Sequence, residues 1–134
     1  MERSSGILLP IFSLPSEYGI GSLGAEARNF ADFLHRAGQR WWQILPVGPV
    51  GAGNSPYTSE STYAGNPLFI DLERLRDDGL LTDSDLTAAK IPPSDGIDYA
   101  ALRKSRETLL RKAFAAGYSR DRERTDEFAR GKPW

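Results

Sequence analysis

The side chains best suited to chemistry lie together in one long loop, residues 47–67. Its 21 residues include four glycines, three prolines and a single charge, Glu60. At its centre, amide, hydroxyl and aromatic groups sit on a backbone that proline restrains: Asn54, Ser55, Pro56 and Tyr57. An aromatic face suits the apolar C–H side of a sugar ring, and uncharged donors and acceptors suit its hydroxyls. This composition fits a neutral polyhydroxylated ligand, and it fits a rigid structural loop equally well.

Composition excludes several other kinds of chemistry. The chain has 134 residues, with 17 basic and 18 acidic side chains and a net charge of −1, which argues against bulk affinity for nucleic acid or an anionic membrane. It has no cysteine and one histidine, His35. Disulfides, thiol nucleophiles and zinc sites of paired imidazoles are therefore excluded, and we expect neither metal nor cofactor. Because no apolar run could cross a bilayer and no secretory signal is visible, the predicted location is cytoplasmic.

A glycine motif, Gly19-Ile-Gly21-Ser-Leu-Gly24, has the spacing of a dinucleotide-binding turn. In such a turn the first glycine follows the strand directly, and the next strand ends in an acidic residue that binds the ribose. Here residues 13–18 intervene, and the second predicted strand ends at Leu45-Pro46. We therefore interpret the motif as a bent loop that leads into a helix.

Hydrophobic patterning before the long loop predicts a βαβ unit. Residues 6–12 and 41–46 are apolar runs typical of parallel strands buried on both faces, and residues 25–37 have helical periodicity. Gly38 stands where a left-handed helix stop is expected. Trp41 and Trp42 would point to opposite faces of the second strand, and we expect both to pack in the core.

After the loop the pattern is mainly helical. Residues 68–70 resemble a brief strand, residues 71–79 a short helix, and Thr82 and Asp83 cap another. Asp98 is expected to cap a longer helix that ends near Ala116 with Gly117 as its stop, and residues 121–130 are charged and expected to be helical. Because two buried parallel strands need partners that these residues do not supply, the sequence predicts the opening part of a larger α/β domain.

Four blocks of the sequence resemble one known family. The blocks are residues 3–24, Trp42-Gln-Ile-Leu-Pro-Val-Gly-Pro49, Ser55-Pro-Tyr57 and Ala64-Gly-Asn-Pro-Leu-Phe-Ile-Asp-Leu72. They are similar to the N-terminal region of the 4-α-glucanotransferases, the amylomaltases or disproportionating enzymes of glycoside hydrolase family 77. The similarity is dense up to about residue 80 and looser beyond it.

The resemblance implies the N-terminal part of a (β/α)₈ TIM barrel with inserted helical segments, incomplete as given. Residues 1–134 would then belong to a glycoside-hydrolase-type catalytic domain. Residues 1–72 would supply the first barrel strands and the substrate loop, and residues 73–134 a helical insertion. The loop after the second strand would lie at the C-terminal face, where such barrels place their active sites.

The resemblance also implies an activity, the retaining transfer of an α-1,4-glucan segment to the 4-hydroxyl of another glucan or of glucose. Retention needs two carboxyl groups roughly 5–5.5 Å apart. In the family these come from later strands, so no catalytic residue is assigned within residues 1–134, and the chain alone is expected to be inactive. Its partners would be α-1,4-glucans or maltooligosaccharides and the remainder of its own catalytic domain, with neither nucleic acid nor membrane.

The family pattern assigns substrate contact to the loop. Tyr57 is expected to stack on, or bond to, the sugar next to the cleaved linkage, while Ser55 and Pro56 shape the loop and Asn54 adds a polar contact. The alternative is a non-catalytic maltooligosaccharide-binding module that uses the same loop.

Overall fold

The computed structural model describes residues 3–51, 53–92 and 94–132. Two short strands and four helices follow one another in the order β1 (Gly6–Leu8), α1 (Ala25–Arg36), β2 (Trp41–Gln43), α2 (Leu72–Asp77), α3 (Asp83–Ala89) and α4 (Tyr99–Arg130). Single 3₁₀ turns at Ile11–Ser13 and Pro67–Phe69 complete the list.

The predicted βαβ unit is present. β1 and β2 pair in parallel with Gly6 opposite Trp41, and Gly38 adopts φ +69° just beyond α1. β1 is shorter than the predicted strand over residues 6–12. Pro10 has no N–H for a ladder, and it leads into the Ile11–Ser13 turn instead.

The expectation that both strands are buried on both faces is wrong for this chain. α1 covers one face of the two-stranded sheet, where Trp42 meets Phe30 edge-on with ring centroids 4.9 Å apart, and the Trp42 indole donates to the Leu9 carbonyl at 2.8 Å. Trp41 points the opposite way and is 66% exposed. No described residue closes the sheet into a barrel, because it has only these two strands.

Local capping determines where the helices begin. Asp71 and Asp98 accept backbone N–H groups at the starts of α2 and α4, and Thr82 forms a capping box with Asp85 at the start of α3. The predicted strand at residues 68–70 is instead the 3₁₀ turn, since the Asn66 carboxamide oxygen accepts from the Leu68 N–H and begins a turn at Pro67.

α4 is one continuous helix, so the stop predicted at Gly117 is wrong, whereas residues 121–130 are helical as predicted and belong to the same helix. Gly117 lies buried inside α4. A Cβ there would come 2.7 Å from Leu80 Cδ2. The glycine therefore serves close packing of α4 against the residues after α2, and not helix termination.

The core has two clusters. The first joins the residues around β1 to those around the second 3₁₀ turn and to α4: Ile11, Leu14, Ile20, Ala27, Leu68, Phe69 and Leu102. The second joins α2, α3 and α4: Leu72, Leu81, Leu86, Ala89, Leu109 and Ala113. α4 contributes to both clusters and so holds the helical segment against the residues that carry the loop. The division of the chain at residue 72 stays a prediction.

Among the described residues, no helix is both long enough and apolar enough to cross a membrane. The cytoplasmic location stays a prediction.

The capping box of α3 carries a pH-dependent contribution to stability. Lys112 Nζ lies 2.6 Å from Asp85 Oδ1, and hydrogen bonds from Lys112 and Thr82 lower the pKa of the Asp85 carboxyl to about 2. Since the folded pKa lies below the unfolded one, the contribution is present above about pH 4 and is lost as the pH falls towards 2.

We therefore expect Asp85→Asn to lower the melting temperature at pH 7, and the gap from the unmutated protein to close between pH 4 and pH 2. Thermal unfolding of the purified protein over this range measures it. Asp83→Asn, on the same helix but with its side chain 89% exposed, is the control and should change little. A gap that stays constant with pH would contradict this role for Asp85.

Candidate functional site

The long loop closes on itself at its base. The Asn66 N–H donates to the Val47 carbonyl at 2.7 Å, next to the end of β2. A Cβ on Gly48 would lie 2.5 Å from Ser59 Oγ, so a glycine is needed for the two sides of the loop to approach. Ser59 Oγ donates in turn to the Ser61 carbonyl at 2.8 Å. The loop is thus folded, and its two ends are held together next to β2.

Residues 54–57, here called the loop tip, are shaped by short-range bonds. The Asn54 N–H donates to the Gly51 carbonyl at 3.0 Å, and Asn54 adopts φ +54°, a left-handed conformation that asparagine tolerates better than most residues. Ser55 Oγ accepts from the Tyr57 N–H at 3.3 Å, and the Ser55 carbonyl accepts from the Thr58 N–H at 3.2 Å. These turns present the Tyr57 side chain outwards.

Tyr57 is 72% exposed, and its hydroxyl makes no hydrogen bond to a described residue. An unburied aromatic ring on a folded loop leaves a face available to a ligand. Tyr63, on the returning side of the same loop, is 71% exposed. The structure therefore brings the four predicted residues into one tip, with Tyr57 as the outward side chain and Ser55 as the residue that turns the backbone.

Asn54 has a partner that the sequence did not reveal. Arg103 Nη2, from the first turns of α4, donates to Asn54 Oδ1 at 2.6 Å. The Arg103 guanidinium also lies over the Tyr99 ring, 6.0 Å from its centroid. The carboxamide oxygen of Asn54 is thus engaged by protein. No periodic pattern in the sequence signals a contact across 49 residues.

Three carboxylates in the matching sequence blocks and the loop have structural partners or are exposed. Asp71 Oδ1 accepts from the Glu73 N–H at the start of α2, and Glu17 pairs with Lys90 Nζ at 2.7 Å. Glu60, on the loop, is exposed. No group of three or more acidic or histidine side chains in the described ranges is arranged to hold a metal ion.

The glycine motif packs against protein where a nucleotide would bind. Gly19 has φ +80°, and a Cβ on Gly21 would lie 2.0 Å from the Ile11 carbonyl oxygen. A Cβ on Gly24, which caps the N-terminus of α1, would lie 2.3 Å from the carboxylate of Asp71. A phosphate at that helix end would meet this negative charge, and the arrangement favours the structural interpretation of the motif.

Arg106 is a buried cation that sequence patterning missed. It is 2% exposed, and burial lowers the pKa of its guanidinium to about 10, although the nearby Asp71 carboxylate acts in the opposite direction. Its Nε, Nη1 and Nη2 atoms find no hydrogen-bond partner among the described residues. A buried guanidinium without an acceptor is costly, so the described residues leave one polar group unsatisfied beneath the Pro67–Phe69 turn.

Comparison with known proteins shows which family the chain belongs to. The family described as 4-alpha-glucanotransferase matches residues 9–133. The chain belongs to the 4-alpha-glucanotransferase family. The 4-alpha-glucanotransferase of Streptococcus pneumoniae serotype 4 is 50% identical over 113 residues, which are 84% of this chain and 22% of the relative. That of Thermus thermophilus is 45% identical over 114 residues, 85% of this chain and 22% of the relative.

A solved structure of the same family has the same backbone. An amylomaltase from Streptococcus agalactiae, determined in complex with acarbose, superposes with a TM-score of 0.93 at 36% identity. The match covers 99% of this chain and 28% of the amylomaltase. The chain therefore spans between a fifth and a third of the length of these family members. The family membership that the sequence blocks indicated is confirmed.

Proposed function

We propose that this chain forms part of a 4-α-glucanotransferase, in which the long loop supplies one wall of the cleft that binds α-1,4-glucans. The single observation that carries the proposal is the exposed Tyr57 on a folded loop after β2, in a chain whose backbone matches an amylomaltase solved with acarbose.

The proposed fold is one segment of a (β/α)₈ barrel. β1 and β2 are parallel and joined by a helix, as in one repeat of such a barrel, and the loop follows the carboxyl end of β2. The face of the sheet that α1 leaves uncovered, with Trp41 on it, would line the interior of a closed barrel, and it is exposed in this chain. The remainder of the catalytic domain is the proposed partner of this surface.

The proposed roles are divided between this chain, which contacts the glucan, and the rest of the enzyme, which supplies the catalytic carboxyl groups. Tyr57 offers a ring face for the apolar side of a glucose unit, and Ser55 and Pro56 hold the backbone that presents it. The two carboxyl groups needed for transfer with retention are proposed to come from residues outside this chain, as the family resemblance implies. The chain positions substrate, and it does not cleave or rejoin the glucan by itself.

A hybrid enzyme tests this proposal. In it, residues 3–132 of this chain replace the matching 28% of the S. agalactiae amylomaltase. We expect the hybrid to release glucose from maltotriose by disproportionation, and the purified chain alone to release none. A hybrid that folds and shows no transfer would contradict the proposal. Turnover by the chain alone would contradict the division of roles.

A further inference from the structure

We propose that Arg103 is a positioning residue that holds the loop tip ready for glucan binding through its bond to Asn54. This inference rests on the proposed function, and it assigns to the first turns of α4 a part in substrate affinity. The bond joins a helix of the segment beyond residue 72 to the loop that presents Tyr57.

The support for Arg103 begins in the core. Tyr99 packs against the first core cluster, beside Leu102, which is 1% exposed. The Tyr99 ring lies under the Arg103 guanidinium at 6.0 Å, which restricts the rotamers of a long side chain. Arg103 Nη2 then reaches Asn54 Oδ1 at 2.6 Å. Helix α4 is thus connected to the loop tip through the Tyr99 ring and the Arg103 side chain.

Nothing else in the described residues ties the tip to another element by a hydrogen bond. The remaining bonds of residues 53–58 stay within the loop, from Asn54 to Gly51 and from Tyr57 and Thr58 to Ser55. Tyr57 is exposed and Asn54, Ser55 and Pro56 are half-buried, so the bond from Arg103 is the hydrogen bond that holds the tip relative to α4. Without the link, the ordering of the tip must occur when the ligand binds.

Asn54 is suited to this role by its backbone as well as its side chain. Its φ of +54° is tolerated by asparagine and glycine, and the carboxamide oxygen faces the guanidinium. Asn54→Gly therefore removes the oxygen and still permits the observed backbone conformation without strain. It separates the hydrogen bond from backbone strain, which Asn54→Ala would confound.

Loss of the link should affect binding more than the chemical step. When the tip is disordered before binding, the free-energy cost of ordering it weakens the affinity for substrate. Once substrate is bound, the tip has the same geometry as in the unmutated enzyme, so the chemical step changes little. We expect Arg103→Ala in the hybrid enzyme to raise KM for maltotriose by roughly threefold to tenfold, with kcat changed by less than about twofold. Arg103→Lys keeps the charge but loses the planar fork, and its KM should lie between.

The experiment compares Arg103→Ala, Arg103→Lys, Asn54→Gly and the double variant Arg103→Ala/Asn54→Gly. Lys104→Ala is the matched control, since Lys104 is the next residue of α4, is exposed, and has no side-chain bond to a described residue. Two readouts are taken, the steady-state kinetics on maltotriose and the amide hydrogen exchange of residues 53–58 without ligand. The second readout does not require activity.

The expected result is faster exchange at residues 53–58 and a raised KM in both single variants, with no further change in the double variant. Lys104→Ala should match the unmutated hybrid in both readouts. An active hybrid whose Arg103→Ala variant has the KM and exchange of the Lys104→Ala control would overturn the inference. Failure of the proposed function is distinguishable, because it appears as an inactive unmutated hybrid.

Discussion

Tyr57→Ala in the hybrid enzyme is expected to lower kcat/KM for maltotriose by about tenfold or more. The Tyr57 ring is 72% exposed, so truncation removes no core packing and creates no cavity. Its backbone N–H bond to Ser55 Oγ does not depend on the side chain, and the loop tip therefore keeps its shape. The loss measures the contact with glucan alone.

Two variants sharpen the Tyr57 experiment. Tyr57→Phe keeps the ring and removes the hydroxyl. Activity close to that of the unmutated hybrid would assign the contact to stacking of the ring. Activity like that of Tyr57→Ala would assign it to a hydrogen bond from the hydroxyl. Glu60→Ala is the control, because Glu60 is exposed on the same loop and has no side-chain bond to a described residue. Unchanged kinetics in Tyr57→Ala would remove Tyr57 from the site.

The second large effect is expected at Gly21. A Cβ there would lie 2.0 Å from the Ile11 carbonyl oxygen and 2.9 Å from Leu14 Cβ, and both neighbours belong to the first core cluster. The Gly21 N–H also donates to the Phe12 carbonyl at 3.3 Å, which fixes the close approach. Backbone cannot move aside as a flexible side chain can, so Gly21→Ala should lower the free energy of unfolding by about 3 kcal/mol.

Chemical denaturation of the hybrid enzyme measures this effect, with Gly96→Ala as the control. A Cβ on Gly96 meets no atom within 4 Å, and its φ lies outside the left-handed region. That control should be neutral or slightly stabilising, since alanine reduces the entropy of the unfolded chain. Equal stability of the two variants would mean that the turn after Ile11 is not as tightly packed as described.

Features determined by neighbouring residues were predictable from the sequence. Asp71, Thr82 and Asp98 are helix caps because their side chains reach backbone N–H groups two or three residues away. Gly38 follows α1 in the left-handed conformation for the same local reason. The composition of residues 54–57 similarly marks the tip, since all four lie in one tight turn.

Features determined by distant contacts were not predictable. A glycine often ends a helix, so the sequence suggested a stop at Gly117. Its close packing against Leu80, inside a continuous α4, is not visible in the sequence. Residues 68–70 were predicted to form a strand, but the Asn66 side chain caps a 3₁₀ turn at Pro67–Phe69 instead. The bond from Arg103 to Asn54 joins residues 49 positions apart, and no periodicity encodes it. Trp41 was expected in a core because its strand is apolar, yet the described residues leave its side chain exposed.

A crystal structure of the hybrid enzyme with acarbose would show whether the loop tip forms part of the glucan-binding wall in a larger enzyme. The measured quantity is the shortest distance between the Tyr57 ring and a sugar ring of the ligand. We expect contact within about 4.5 Å, with Arg103 still bonded to Asn54. Acarbose bound in the cleft with Tyr57 turned away from every sugar ring would contradict it.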